Sequence, residues 1–281
     1  MLGLAALTTS DGAPVQRLRI VGSDLLSPSF AKALEQHATE NGYLVEHAFD
    51  GSRAGLEAVK AGAADAALVW LAPDEKMPER DLVSEPVAYR VAVVAVSAHI
   101  DVTEVTFEQL DGFFGADGGA GYSLWRDLGA GGSAAPLSVS THVWADASGG
   151  FSTDLFSYLV LRMQRLKTSV IRHEKLEPLL SRMRLEEGGL ALLPQLPPRS
   201  AGLRVLSVAK KKGDPAFGPS AENIHTGDYP LRWPLLLVYR SEDQERVRRW
   251  RTFLFSDVAR KTMTEEAALT PVPTSARPTL K

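Results

Sequence analysis

The sequence contains no cysteine. Disulfides, thiolate metal sites and cysteine nucleophiles are therefore excluded. The absence is neutral about compartment, because a chain of 281 residues can build its cores without covalent staples. No apolar run approaches the ~20 residues that cross a bilayer as a helix. Excess positive charge is missing as well. The formal net charge is −3, whereas a nucleic-acid binder needs a basic face to neutralise phosphates. Enzyme signatures are also absent: the chain has no GxSxG elbow, no HExxH, no Walker A sequence and no GxGxxG after a strand. The histidines are scattered (His37, His47, His99, His142, His173 and His225), and only His142 and Asp146 are spaced to share one face of a turn. A metal site needs several such ligands. No metal and no cofactor is expected, and no internal repeat is visible.

What is present is the composition of a water-soluble globular protein, 44% hydrophobic and 23% charged, long enough for two lobes of ordinary size. The N-terminus, Met1 to Leu7, is apolar and turns small and polar through Ser10-Asp11-Gly12-Ala13. That matches the tail of a secretory signal without its basic start. Leu18 to Val21 reads as a strand entering a turn at Gly22-Ser23-Asp24. Ser27-Pro28 then caps a helix with Phe30, Leu34, His37 and Ala38 at helical spacing, and Gly42 stops it. A second strand, Tyr43 to Phe49, leads through Asp50-Gly51-Ser52 into a helix facing inward at Leu56 and Val59 and ending at Gly62. Ala66 to Trp70 is apolar without alternation, as in a strand covered on both faces. The resulting βαβαβ order implies a parallel sheet, whose ligands sit beyond the carboxyl ends of its strands. Ser23-Asp24-Leu25 and Gly51-Ser52 lie at two such ends.

Further on, Val87 to Ser97 is a long β-rich run suited to crossing between lobes. Thr106-Phe107-Glu108-Gln109 is a capping box. Gly115 to Ala135 is glycine-rich and reads as a flexible surface loop rather than a phosphate cradle. A short strand is expected at Leu137–Ser140. After it, Asp146 to Ser152 feeds a helix with Leu155, Leu159 and Met163 on one face. Gly189–Leu193 and Leu203–Val208 are expected as strands, Leu235–Tyr239 as a buried strand, and Glu242 to about Met263 as one terminal helix. Three turns of Ser, Gly and Asp thus precede helix N-termini, where unpaired N–H groups and the helix dipole favour an anion. For any single turn, self-capping is the plainer explanation.

These segments resemble the phosphate-binding proteins of ABC transporters, which have the type 2 periplasmic-binding-protein fold. The likeness runs from Leu18 to about Pro273. It is carried by Asp50-Gly51-Ser52-Arg53-Ala54-Gly55-Leu56 with Gly62-Ala63-Ala64-Asp65, by Thr106 to Leu110 with Trp125-Arg126-Asp127-Leu128-Gly129, and by Gly227-Asp228-Tyr229-Pro230-Leu231 ahead of Leu235–Tyr239. The resemblance implies an α/β protein of two lobes, each a mainly parallel sheet flanked by helices, joined by two crossover strands. Residues 17–95 with 232–275 would form one lobe and 96–231 the other, with 1–16 a residual signal or unstructured segment and 276–281 a tail. It implies a cleft between the lobes that closes by hinge motion on a small anionic or polar solute. It also implies an ABC permease as partner, an extracytoplasmic or periplasmic location, and a monomer. The ligand-binding positions carried over are Ser23, Asp24, Leu25, Ser52, Trp70, Asp146, Gly150, Phe151 and Ser152. Ser52 matches the family's serine at the second helix start, and Ser152 matches its threonine.

Five of these positions depart from the family. Gly150 and Phe151 stand where serine and glycine are usual. Asp24 stands where a threonine donates to the ligand, Trp70 near the aspartate that accepts the phosphate's proton, and Asp146 about where an arginine clamps it. Losing the arginine removes a bidentate, charge-assisted grip on an oxyanion. Other hydroxyls, those of Ser23, Ser140, Thr141 and Ser148, are substitute donors. Two alternatives follow: an interaction or sensory module that no longer binds phosphate, and a hydrolase using Asp24 and Asp146 as acid and base.

Overall fold

The computed structural model describes residues 16–24, 26, 28–71, 75, 81–117, 121–145 and 151–276, without the side chains of residues 151, 152 and 266. Leu25, Ser27, Asp146, Ser148 and Gly150 lie outside the described residues, as do residues 1–15 and 277–281.

In chain order, β1 (Arg17–Gly22), α1 (Pro28–Glu40), β2 (Leu44–Ala48), α2 (Ser52–Lys60) and β3 (Ala66–Val69) come first. Next are β4 (Leu82–Val91), β5 (Val93–Ser97), β6 (Glu104–Thr106) and α3 (Phe107–Phe114). Then follow β7 (Ser140–Trp144), α4 (Phe151–Leu159), β8 (Ile171–His173), α5 (Leu176–Leu185) and β9 (Gly189–Leu193). The chain continues with β10 (Leu203–Val205), β11 (Ser207–Ala209), α6 (Ala221–Thr226) and β12 (Arg232–Arg240). It closes with α7 (Gln244–Leu254), α8 (Asp257–Ala267) and β13 (Thr270–Pro271).

The chain divides into two compact units. One comprises the described residues up to Tyr89 together with those from Pro234 onward, and the other is Arg90–Trp233. Both junctions fall inside strands, within β4 and within β12. The sequence placed them at 95/96 and 231/232.

Unit one is a six-stranded sheet of order β13-β4-β12-β3-β1-β2. β1 pairs parallel with both β2 and β3, as the βαβαβ pattern requires, while β12 runs antiparallel to β3. The apolar stripe of α1 (Phe30, Ala31, Leu34, Ala38) is buried, and Gly42 supplies the positive φ of +71° that ends the turn after it. On α2, Leu56 and Val59 pack with Val21, Ala67, Val69 and Val238 in one core cluster.

Unit two holds a five-stranded sheet of order β10-β5-β9-β7-β8 and a separate two-stranded sheet of β11 and β6. Here too a parallel trio, β9-β7-β8, is extended by antiparallel neighbours. The capping box at Thr106 forms: Thr106 Oγ1 accepts from Gln109 N–H at 3.3 Å, and Gln109 Oε1 accepts from Thr106 N–H at 2.9 Å. Thr106→Ala should cost about 1 kcal/mol, read as a lower urea midpoint with an unchanged slope.

Several sequence expectations need correction. The strand expected at Leu137–Ser140 begins at Ser140 and runs to Trp144. Helix α4 ends at Leu159; Met163 lies beyond it with φ of +66° and 72% exposure, so it shares no helical face with Leu155. The 203–208 run is two strands in two different sheets. The terminal helix is two helices, because Ser256 Oγ accepts from Ala259 N–H at 3.2 Å and caps a new start. The glycine-rich 115–135 stretch is anchored by Trp125, which is fully buried and donates from Nε1 to Gly188 O at 3.0 Å.

Candidate functional site

The carboxyl ends of β1, β2 and β3 are held together by backbone packing that only glycine permits. Gly22 closes β1 with φ of +149°, and an added Cβ would lie 2.1 Å from the carbonyl oxygen of Leu68 on β3. Gly51 precedes α2 with φ of +130° and donates its N–H to Gly22 O at 2.9 Å. Gly55, one turn into α2, sits so close to β1 that its Cβ would be 2.9 Å from Gly22 Cα. The Gly-Ser-Arg-Ala-Gly segment is therefore a device that seats the first turn of α2 against the end of β1.

Ser52 is the first residue of α2 and half-buried. Its Oγ accepts the Trp70 N–H at 3.0 Å, which leaves the Ser52 hydroxyl proton to be donated. The helix start has no side-chain cap from Gly51 and no acidic residue in its first turn. Its first amides and dipole thus present positive potential beside that hydroxyl. Arg53 in the same turn, 88% exposed at its side chain, pairs with Glu75 Oε1 at 3.8 Å. Ser23 follows β1 and is buried, with its N–H on Leu68 O at 2.9 Å, whereas Asp24 is exposed. Trp70 is only 5% exposed, so packing accounts for most of its ring.

Unit two repeats this construction at the carboxyl end of β7. Thr153, buried in the first turn of α4, donates from Oγ1 to Trp144 O at 3.2 Å, tying helix start to strand end. Sequence reading missed Thr153, although it stands beside Ser152 in the same turn. Phe151 and Ser152 are the first two residues of α4. Ala145 closes the strand by donating its N–H to His173 O at 2.9 Å. Of the expected residues, the structure thus brings Ser52 and Trp70 into contact and sets Ser23 at the adjacent strand end. Ser140 is not a substitute donor at this end. It opens β7 at the amino side, and its hydroxyl belongs to a network with His142 and Glu186.

His142 pairs with Glu186 and His173, from distant parts of the chain. Asp65, at the amino end of β3, is a structural acceptor: it takes Arg19 N–H at 2.7 Å and pairs with Arg246 Nε at 2.6 Å. Among the described residues, no group of three or more His, Asp or Glu side chains is placed to hold a metal, and no helix is long and apolar enough to cross a membrane.

Two other hollows carry charge. One of about 380 Å3 in unit two is rimmed by Glu104, Glu108, Lys211, Lys212 and Asp214, all exposed, while Thr106 and Gln109 are consumed by their own capping box. One of about 230 Å3 in unit one has Arg17 and Arg246 already on Glu46 and Asp65.

No family model and no curated protein sequence matches the chain. Solved structures do. PstS from Borrelia burgdorferi superimposes with a TM-score of 0.68 at 16% identity, over 92% of this chain and 100% of that one. A possible phosphate binding protein from Planctomyces limnophilus gives 0.70 at 18% identity, over 95% and 96%. An ABC-type phosphate transport receptor from Vibrio cholerae gives 0.60 at 19% identity, over 90% and 99%. At such identities the likeness is one of fold. The chain has the two-unit α/β fold of the periplasmic binding proteins.

Proposed function

We propose that this chain is a solute-binding protein that takes up a small anionic or polar solute outside the cytoplasm and hands it to an ABC-type permease, with no chemistry of its own. The observation that carries this reading is the seat of Ser52. One hydroxyl, bonded on its acceptor side to the strand end, sits at the uncapped start of a helix with no acid in its first turn. Ser23, Ser52 and Trp70 from unit one are assigned to the solute, together with Gly150, Phe151 and Ser152 from unit two. Leu25 and Asp146 are assigned as neighbours of the same solute. Phosphate is the first solute to test, because proteins of this fold described as phosphate-binding stand among the structural neighbours.

A second reading is an interaction or sensory module that has lost phosphate. It is favoured by Asp24, an exposed carboxylate directly after the buried Ser23. A carboxylate beside a bound dianion is repulsive, and this repulsion weakens with salt.

Calorimetry of ligand-stripped protein against phosphate, sulfate, molybdate, amino acids and short sugars separates the two. Saturable binding of one solute is expected, with Ser52→Ala weakening it about tenfold through the lost hydrogen bond. Asp24→Thr should strengthen an oxyanion and leave a neutral solute unchanged. No heat with any solute, for both the parent and Asp24→Thr, would leave the interaction module standing.

A further inference from the structure

Unit two contains a buried polar network that solute binding does not use. His142, on β7, is fully buried. Its Nε2 lies 2.7 Å from Glu186 Oε2 and 3.0 Å from Ser140 Oγ, and its Nδ1 lies 3.0 Å from His173 Nε2. Arg182 on α5 donates to the other oxygen of Glu186, the residue that follows α5. Around the pair, β9 and β5 carry no charged side chain, the one charged residue of α4, Asp154, is exposed, and Arg172 of β8 is exposed. Glu177 and Arg184 of α5 pair with each other. Among the described residues, the charges acting on His173 besides His142 are those of Glu186 and Arg182.

Counting protons fixes what the rings can do. An ionised Glu186 only accepts, so His142 Nε2 carries a hydrogen and donates it. Between His142 Nδ1 and His173 Nε2 there is room for one hydrogen, carried by either ring. The pair keeps this contact when both rings are neutral and when one is charged. With both charged, two N–H groups face each other and the contact cannot persist.

We propose that His142 and His173 form a proton-operated latch on the end of β7: one shared proton closes it, and doubly charging the pair opens it. The part that opens is defined by the backbone. His173 O holds the Ala145 N–H, and from Ala145 the chain continues through residues 146–150 into α4. Driving the rings apart pulls β8 from β7 at this bond. Burial, and then the charges of His142 and Arg182, hold the His173 imidazole below its ordinary 6.5 against the opposing pull of Glu186. A depressed histidine contributes stability that is complete above its unfolded value and lost as pH falls through the folded one. The latch therefore stays closed at neutral pH and opens on mild acidification. Its consequence, release of the solute in acid, rests on the solute-binding function proposed above, whereas the latch itself does not.

Hydrogen exchange of the Ala145 amide in the full chain, corrected for intrinsic rate, tests it without any solute. Protection should fall about tenfold or more between pH 7.5 and pH 5, a tenfold change being one pH unit of linkage. His173→Gln keeps a donor at the position of Nε2 but cannot charge, so its Ala145 should stay protected at both pH values. Equal protection of the parent across the range, or an unchanged loss in His173→Gln, would overturn the latch. Should that variant not fold, nitrogen NMR of the parent's imidazoles decides. Arrival of the second charge together with loss of Ala145 protection supports the latch, and full charging of both rings with Ala145 still protected refutes it.

Discussion

Gly22→Ala is expected to destabilise the protein by about 3–5 kcal/mol, combining backbone strain with overpacking against a rigid group. The new Cβ would stand 2.1 Å from Leu68 O and 2.8 Å from Leu68 N, both backbone atoms in the middle of a paired strand. No side chain can swing away to make room. The same Leu68 carbonyl receives the Ser23 N–H, and the Gly22 carbonyl receives the Gly51 N–H, so any shift that relieves the clash stretches both bonds. Moving Gly22 also disturbs Gly55, where an added Cβ would lie only 2.9 Å from Gly22 Cα. Fold and candidate site are thus coupled at one residue, and solute binding should vanish at temperatures where the variant is still folded. Gly42→Ala is the control. It has a positive φ of +71° but nothing within 4 Å, so it should cost only about 1 kcal/mol of strain and leave binding untouched. Urea denaturation of both variants checks the contrast; equal losses would remove the close approach as its cause.

The same glycines show why part of this molecule could be read without coordinates. Local patterns carry local structure. The spacing of Phe30, Leu34 and Ala38, the capping box at Thr106 and the apolar run before Trp70 each need only neighbouring residues, and each forms as expected. Gly51-Ser52 marks a helix start, but the reason for Gly55 lies on β1, across the core. Errors cluster where two local signals compete. An apolar period runs from Val247 to Met263, and it masked the Ser256 cap in its middle. Likewise, Leu203–Val208 reads as one continuous β-rich run, yet it splits because Val205 pairs with Ala95 on β5 while Ser207 pairs with Glu104 on β6. Pairing partners so distant leave no trace in a window of a dozen residues.

His142 illustrates the limit at a polar position. Sequence spacing offered Asp146 as its only companion, four residues away. In the folded chain its ring nitrogens are taken by His173 and Glu186, which are 31 and 44 residues away. Three strands or helix ends must converge before that network exists, and convergence is a property of the sheet order β9-β7-β8.

Glu186→Ala is expected to cost about 3 kcal/mol at pH 7.5, because it leaves the buried His142 donor and the Arg182 cation without their anion. His142 has no solvent to turn to, and the Glu186 side chain itself is only 15% exposed. Burial alone would raise the Glu186 carboxyl. Hydrogen bonds from Ser140 and His142, the charge of His142 and the bond from Arg182 outweigh it and hold the group below its ordinary value. The sign of the pH effect follows. A carboxylate with a depressed folded value adds stability that is fully present above about 4.5 and is lost as the pH falls through the folded value. Removing Glu186 deletes that contribution. It also removes the charge that, among the described residues, favours protonation of His173, so the variant should lose more stability than the parent between pH 7.5 and pH 5.5. Glu186→Gln, which keeps an acceptor but no charge, should fall between the two. Denaturant unfolding of the three proteins at both pH values checks the order. A parent and a Glu186→Ala variant with parallel pH profiles would mean that the carboxylate does not govern the histidine pair, and that the network is held by shape alone.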